Sequence, residues 1–362
     1  MKKQAKQPLK KARDLDGYFK VFLGSTNFHL LMKDIIKQQM TPLDLTLVFS
    51  RTENKGDWQT IRVDSKLRNS FLKKITLLRH IRKSLEKLLA ENKVTDKPIA
   101  LFYPNDDGFE YQFAICCLKK SAKKLKLVMY EDGLGSLRDR EEHRERRPWK
   151  FLKKQAYRLL FSGNYFNANG FRGSLADHYV GLSDESFRQE RTEYSRPLTV
   201  LDMQGLADAA QSAQSAFLGK KTHIFLSEVL VEARTISPEL WFRYIDGCAA
   251  AISKMTEELF VKPHPRESGD KFAETVDAFR KHIERVEVLG QRVSIEEYVN
   301  GIRDKHNLVL HGCRTGGLYY VKLLYPEIQV VMHQEHLLGA NKELDSNIKF
   351  HRKLMESVGC KA

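Results

Sequence analysis

Two short stretches of the chain hold residue types better suited to chemistry than to a core. The first is Glu131-Asp132-Gly133, which follows the run Lys126 to Tyr130, a strand pattern. Adjacent carboxylates where a strand stops and a loop begins sit where α/β folds place their ligands. Gly133 and Gly135 let the backbone turn sharply and leave the carboxylates uncovered. Beside a sugar hydroxyl, such a carboxylate acts as a general base once burial or a neighbour raises its pKa. An ordinary acidic turn is spelled the same way. Asp106-Asp107-Gly108 is a second instance, set before a helix where carboxylates serve as N-caps. The other stretch is Lys262-Pro263-His264-Pro265-Arg266. Prolines on both sides of a histidine fix the backbone and stop a helix from starting. Flanked by cations at a strand end, His264 suits a developing phosphate charge and has a proton to donate. A rigid loop with an exposed histidine is the plain alternative.

Further groups suit an anion. Gly312 to Gly317 opens a helix, and its N–H groups with the Thr315 hydroxyl form an anion site, with Gly316 at the turn and Arg314 adding charge. The Gly-Lys-Ser/Thr ending of a P-loop is missing. Glu296 and Glu297 start a helix, where they stabilise its N-terminus or accept from ribose hydroxyls. Gly24-Ser25-Thr26-Asn27 is a small polar turn between strand and helix, with Thr26 and Asn27 open to a ligand. No Asp-x-Asp pair follows a strand, and His and Cys show no metal spacing, so neither a metal nor another cofactor is expected. The five cysteines show no CxxC spacing, and neither disulfides nor zinc are expected.

The elements that must position these groups alternate. Strands are expected at Tyr18 to Leu23, Leu45 to Phe49, Pro98 to Tyr103 and Leu125 to Tyr130. Helices are expected at Phe28 to Gln38, Lys66 to Asn92 and Phe109 to Lys120. Arg138 to Arg147 is nearly all charged, Trp149 to Phe161 is helix-periodic, and Asn164 to Gly173 reads as loop. Ser183 to Pro197 reads as an interdomain connection, and Leu198 to Lys221 as a short apolar piece with an alanine-rich helix. A second series follows, with strands at 223–226, 259–261, 286–289, 308–311 and 328–332. Its helices begin at Ser237-Pro238, Asp270, Ser294 and Leu318, and a polar tail begins at Lys342. Two such series predict an α/β protein of two Rossmann-like domains facing a central cleft. The expected divisions are a basic arm at 1–16, an acceptor-side domain at 17–197, a nucleotide-sugar domain at 198–340 and a helical tail at 341–362.

At 362 residues, 42% hydrophobic and 30% charged, the composition is that of a globular protein rather than a disordered one. No apolar run reaches the roughly 18 residues of a membrane span, and no apolar stretch follows the lysine-rich N-terminus as in a signal peptide. A cytoplasmic protein is expected. Net charge is +15, clustered in the N-terminal arm and from Lys119 to Arg158. Such clusters attract polyanions, and peripheral association with an anionic inner-membrane surface is expected at about 1 kcal/mol per basic residue. A basic nucleic-acid-binding protein is the alternative from another class, but no helix-turn-helix, RNP or zinc-finger pattern supports it.

Taken in order, these motifs resemble the bacterial sialyltransferases, most closely glycosyltransferase family 52, the lipooligosaccharide sialyltransferases. The family's acidic pair with Gly-x-Gly falls on Tyr130 to Gly135 and its Pro-His-Pro-Arg on Pro263 to Arg266. Its Ile-Glu-acidic-Tyr falls on Ile295 to Tyr298, and its phosphate-binding hydroxyl turn on Thr315-Gly316. The resemblance implies a GT-B fold and a metal-independent, inverting transfer from CMP-sialic acid to a galactose-terminated lipooligosaccharide or capsular glycan. It implies that His264 assists departure of the phosphate, with Lys262, Pro265, Arg266, Arg314 and Gly316 around the donor. Thr315 would bind the phosphate and Glu296 the ribose. The base is Glu131 or Asp132 beside Gly133, or alternatively Glu228 or Glu232 after the first strand of the second domain. A homodimer is a further implication. A transferase using another sugar nucleotide is the nearest rival.

Overall fold

The computed structural model describes residues 15–50, 58–63, 71–94, 96–105, 109–137, 175–201, 221–291, 293–302 and 304–360. The Asp106-Asp107-Gly108 turn, most of the basic arm, the segments expected across 138–173 and the alanine-rich helix lie outside them. The chain divides into two compact units, Met1–Asp202 and Met203–Ala362.

The first unit is built on seven strands: β1 (Phe19–Gly24), β2 (Leu45–Ser50), β3 (Gln59–Arg62), β4 (Pro98–Tyr103), β5 (Lys124–Tyr130), β6 (His178–Gly181) and β7 (Leu198–Val200). They form one sheet in the order β3-β2-β1-β4-β5-β6-β7, and every pairing is parallel. A parallel sheet is covered on both faces, so its strands read as continuous apolar runs. In β4, Ile99 to Tyr103 are all fully buried. Helices α1 (Asn27–Gln39), α2 (Phe71–Glu91), α3 (Phe109–Ser121) and α4 (Arg188–Tyr194) accompany it. On α2 the buried ladder is Leu77, Ile81, Leu85 and Leu89, four positions at i+4 spacing that form one stripe against the sheet. Each such side chain contributes about 1.5–3 kcal/mol by leaving water.

The stretch expected as an interdomain connection contains α4. The chain then enters β7, where Leu198 pairs with Tyr179 of β6. Residues 198–200 therefore finish the first sheet instead of opening the second domain. Short strands with little apolar alternation, β3, β6 and β7, escaped the sequence pattern.

The second unit carries β8 (Thr222–Leu226), β9 (Glu258–Lys262), β10 (Arg285–Val288), β11 (Leu308–Gly312) and β12 (Gln329–Met332). They form a sheet in the order β10-β9-β8-β11-β12, again with every pairing parallel. Helices α5 (Pro238–Ile252), α6 (Gly269–Arg280), α7 (Ile295–Asn300), α8 (Gly316–Leu324) and α9 (Lys342–Ser357) connect and follow the strands. Helix α5 begins as its letters predict: the Ser237 hydroxyl accepts from the Leu240 N–H, and Pro238 fills the first turn. Trp241, Tyr244, Ile245, Cys248 and Ile252 of α5 form the heart of this unit's core.

Both sheets reverse direction of growth once. In the first the reversal lies between β1 and β4, in the second between β8 and β11. Crevices at the carboxyl ends of strands at such a switch point are where open α/β sheets bind ligands. No helix among the described residues is long and apolar enough to cross a membrane.

Candidate functional site

In the first unit the acidic turn is tied to the switch point by the residue before it. Tyr130 is fully buried, stacks on Phe22 with ring centroids 4.7 Å apart and donates from its hydroxyl to the Leu23 carbonyl at 2.6 Å. The end of β5 is thereby locked against the end of β1.

The two carboxylates then part company. Glu131 is completely buried. Its Oε2 accepts from the Leu182 N–H at 2.8 Å and the Ser186 hydroxyl at 2.5 Å, so it fastens the loop after β6. Asp132 is partly open, its side chain 31% exposed. Its Oδ1 lies 2.5 Å from His29 Nε2, and its Oδ2 accepts from Asn105 Nδ2. Its own N–H donates to the Ser136 hydroxyl at 2.9 Å. Gly133 has φ +81°, a left-handed conformation that glycine adopts without the cost a side chain brings.

His29 comes from α1. Thr26 is that helix's N-cap, its hydroxyl oxygen accepting from the His29 N–H at 3.2 Å. The ring's Nδ1 accepts from the Ser25 N–H at 3.0 Å, so the ring proton resides on Nε2 and points at Asp132. Thr26 is exposed, and Asn27 begins the helix. Tyr111 of α3 donates to the Ser25 hydroxyl at 2.7 Å. His29 and Asn105 did not stand out in the sequence. The one available signal was Thr26-x-x-His29, a spacing that turns the fourth side chain back over the strand end.

In the second unit His264 follows β9. Its Nδ1 accepts from the Arg266 N–H at 3.1 Å, leaving Nε2 as the donor. Burial lowers its pKa to about 4, with Arg266 and Lys262 pushing the same way. The ring is therefore neutral at pH 7. Lys262 is buried, and its ammonium donates to the carbonyls of Pro263 at 3.3 Å and Gln291 at 3.5 Å. Pro265 and Arg266 are exposed.

The loop is fixed from below by Glu267, which the sequence did not single out. Its carboxylate, fully buried, accepts from the His264 N–H at 3.1 Å, the Ser227 hydroxyl at 2.7 Å and the Lys271 ammonium at 2.9 Å. Lys271 also donates to the Glu228 carbonyl at 2.6 Å, pairs with Glu232 at 3.2 Å and lies 4.1 Å from the centre of the Trp241 ring.

Glu228 and Glu232 thus have structural partners. Glu228 Oε1 accepts from the Cys313 N–H at 3.2 Å and the Arg314 N–H at 2.7 Å. It bridges the switch point between β8 and β11. Burial raises its pKa against the pull of Arg314 and the two amides. Glu232 accepts from the Ser268 N–H at 3.0 Å. Burial pushes its carboxyl up, but the Ser268 amide and Lys271 outweigh it and hold the pKa below the usual range.

Thr315 is the N-cap of α8. Its hydroxyl oxygen accepts from the Gly317 N–H at 3.2 Å, so the hydroxyl proton is directed outward. Its carbonyl faces His351 Nε2 of α9 at 3.3 Å, and Gln334 donates to the Cys313 carbonyl at 2.8 Å. Gly316 is the helix's first residue and Arg314 is about a quarter exposed. A Cβ on Gly317 would stand 2.6 Å from Ile295 Cγ2, which is how closely α8 approaches the start of α7. Glu296, in that first turn, is buried.

The second unit therefore places an imidazole N–H, a helix N-terminus and a hydroxyl at the carboxyl ends of its central strands, a set that suits a phosphate. The first unit offers a carboxylate with fixed hydrogen bonds at its own switch point.

A family model described as alpha-2,8-polysialyltransferase (POLYST) matches residues 9–309. Among solved structures, a putative UDP-N-acetylglucosamine 2-epimerase from Listeria monocytogenes is similar, with TM-score 0.54, 13% identity, and coverage of 94% of this chain and 88% of that one. An S. aureus MnaA–UDP co-structure gives TM-score 0.51, 12% identity and the same two coverages, 94% and 88%. At such identities the likeness shows the fold, two Rossmann-like domains of the GT-B type. No curated protein matches.

Proposed function

The chain belongs to the alpha-2,8-polysialyltransferase family, and we propose that it transfers sialic acid from CMP-sialic acid to a glycan hydroxyl, with inversion and without a metal ion. The observation that carries this reading is the span of the match. Residues 9–309 include both the acidic turn and the Pro-His-Pro-Arg stretch. Family membership makes the protein a glycosyltransferase with a nucleotide-sugar donor and a glycan acceptor. The acceptor proposed is a galactose-terminated lipooligosaccharide or capsular glycan, and the family's description adds sialylated glycans. The basic arm supports peripheral attachment to anionic membrane.

In this mechanism His264 donates its Nε2–H to the phosphate, and Thr315 with the α8 N-terminus holds the same group. Glu296 accepts from the ribose. The bond from the anomeric carbon to the phosphate oxygen breaks, and the phosphate leaves with the electron pair. The acceptor oxygen forms the new bond, and its proton passes to Asp132. Asp132 is preferred to Glu131 because it is partly open, while Glu131 is buried and committed to Leu182 and Ser186. Glu228 and Glu232 are engaged in holding the second unit's loops.

Incubation with CMP-sialic acid and panels of galactosides and sialosides tests the proposal directly. CMP release with glycan product is expected, and neither across the panel would remove it. A second reading, a donor carrying UDP, is favoured by the fold shared with the MnaA–UDP co-structure. Protection against thermal unfolding by UDP and not by CMP would select it.

A further inference from the structure

We propose that His29 is the positioning residue for Asp132, a buried imidazole that dictates which carboxylate lone pairs meet the acceptor hydroxyl. The proposal rests on Asp132 being the base.

The geometry fixes the direction of every hydrogen bond. His29 is only 2% exposed. The Ser25 N–H, held in the turn between β1 and α1, points at Nδ1 from 3.0 Å. A backbone N–H has only a proton to give, so Nδ1 must accept and Nε2 must donate. The recipient is Asp132 Oδ1 at 2.5 Å. On the other side Asn105, after β4, donates to Oδ2. Each carboxylate oxygen thus receives one N–H from within the protein and keeps its other lone-pair direction for a ligand. The ring itself is confined. Tyr130 meets it edge-on with centroids 5.6 Å apart, and a Cβ on Gly24 would lie 3.1 Å from His29 Cβ.

This arrangement reverses the familiar carboxylate–histidine pair, in which a buried carboxylate orients an exposed imidazole. Here the imidazole is buried and the carboxylate is open. A proton taken from the acceptor stays on Asp132, because a second ring proton on His29 would point at the Ser25 N–H. Among the described residues, the titratable groups around the pair are Tyr130 and Glu131 from its own strand end and Tyr111 of α3, which is one hydrogen bond removed through Ser25. Tyr130 is buried and its ionisation is driven upward, so it does not titrate with the carboxylate.

The test compares His29→Ala, His29→Gln, Asn105→Leu and Asp132→Asn in the full chain, by sialyl transfer from pH 4.5 to 8.5 and by CMP binding. His29→Ala is expected to lower kcat roughly 100-fold through misplacement of the base, with acceptor KM and CMP affinity unchanged. Asn105→Leu, acting from the opposite side, is expected to lower kcat in the same way, again with acceptor KM and CMP affinity unchanged. His29→Gln, whose side-chain N–H reaches the former Nε2 position, should restore most of kcat. An unchanged kcat in both His29→Ala and Asn105→Leu overturns the proposal, as does His29→Gln falling as far as His29→Ala. Asp132→Asn separates the two ideas. Full turnover in that variant sinks the base assignment. Loss of turnover there, beside an unchanged kcat in His29→Ala, sinks only the role of His29.

Discussion

Replacing Glu267 should loosen the second unit and its His264 loop together. The carboxylate is wholly buried and takes three donors: Ser227 Oγ at 2.7 Å, Lys271 Nζ at 2.9 Å and the His264 N–H at 3.1 Å. Glu267→Ala leaves all three without that acceptor. Breaking a buried ion pair from one side costs about 3–5 kcal/mol, because the surviving charge stays desolvated. Lys271 keeps Glu232 at 3.2 Å, the Glu228 carbonyl at 2.6 Å and the Trp241 ring, so the low end, about 3 kcal/mol, is expected. Removing both charges is a different perturbation. In Glu267→Met with Lys271→Met no ammonium remains. The Ser227 hydroxyl, the His264 N–H and the Glu228 carbonyl lose a partner, at about 1 kcal/mol each, while Glu232 keeps the Ser268 N–H.

The double variant should therefore match the single one in stability to within roughly 1 kcal/mol, although it has lost both polar side chains. Urea unfolding is the assay, followed by Trp241 fluorescence with the other two tryptophans, Trp58 and Trp149, changed to phenylalanine. Trp241 lies in this unit's core beneath Lys271, so its signal reports the right unit. CMP affinity of Glu267→Ala should fall with stability, since the His264 backbone loses its anchor. A loss under about 1 kcal/mol in the single variant, or a double variant less stable than the single by more than about 2 kcal/mol, would refute the account of the buried pair.

Four further outcomes follow from the geometry. With its folded pKa depressed from 6.5 to about 4, His264 contributes stability that is complete above pH 6.5 and lost as pH falls through 4, and a phosphate against Nε2 raises that pKa. CMP binding at pH 5–6 should then take up protons, read as buffer-dependent heats in calorimetry. Buffer-independent heats would separate His264 from the phosphate. Glu228→Gln should keep turnover within about threefold, because the amide oxygen still accepts from Cys313 and Arg314, whereas a general base so changed would lose at least 100-fold. Gly317→Ala should cost roughly 1–3 kcal/mol, since the new Cβ meets Ile295 Cγ2 at 2.6 Å, and Ile295→Ala should recover part of it. Transfer should persist in excess EDTA, and its loss with recovery on adding a divalent cation would overturn metal independence.

How far the letters reach is best seen at Glu131 and Asp132. The strand before them, the helix start at Ser237 and the alternating order were all legible, because periodicity and capping act within a few residues. The helix expected from Leu318 begins two residues earlier, at Gly316 capped by Thr315. What separates the two carboxylates is not local. Glu131 is claimed by Ser186, 55 residues away, and Asp132 by His29, 103 residues away. Successive side chains leaving a strand point to opposite sides. One of an adjacent acidic pair thus turns inward wherever the other turns out, and the spelling is the same for either choice. The same limit hid β6 and β7, whose four and three residues are too short for an alternation to register, β6 depending on β5 and β7 on β6 for a place in the sheet. It also hid Glu267, whose partner Ser227, 40 residues away, meets it only once β8 and β9 are paired. A base that must be open and a brace that must be closed carry the same functional group, so burial and not residue type assigns the roles, and burial is a property of the folded sheet.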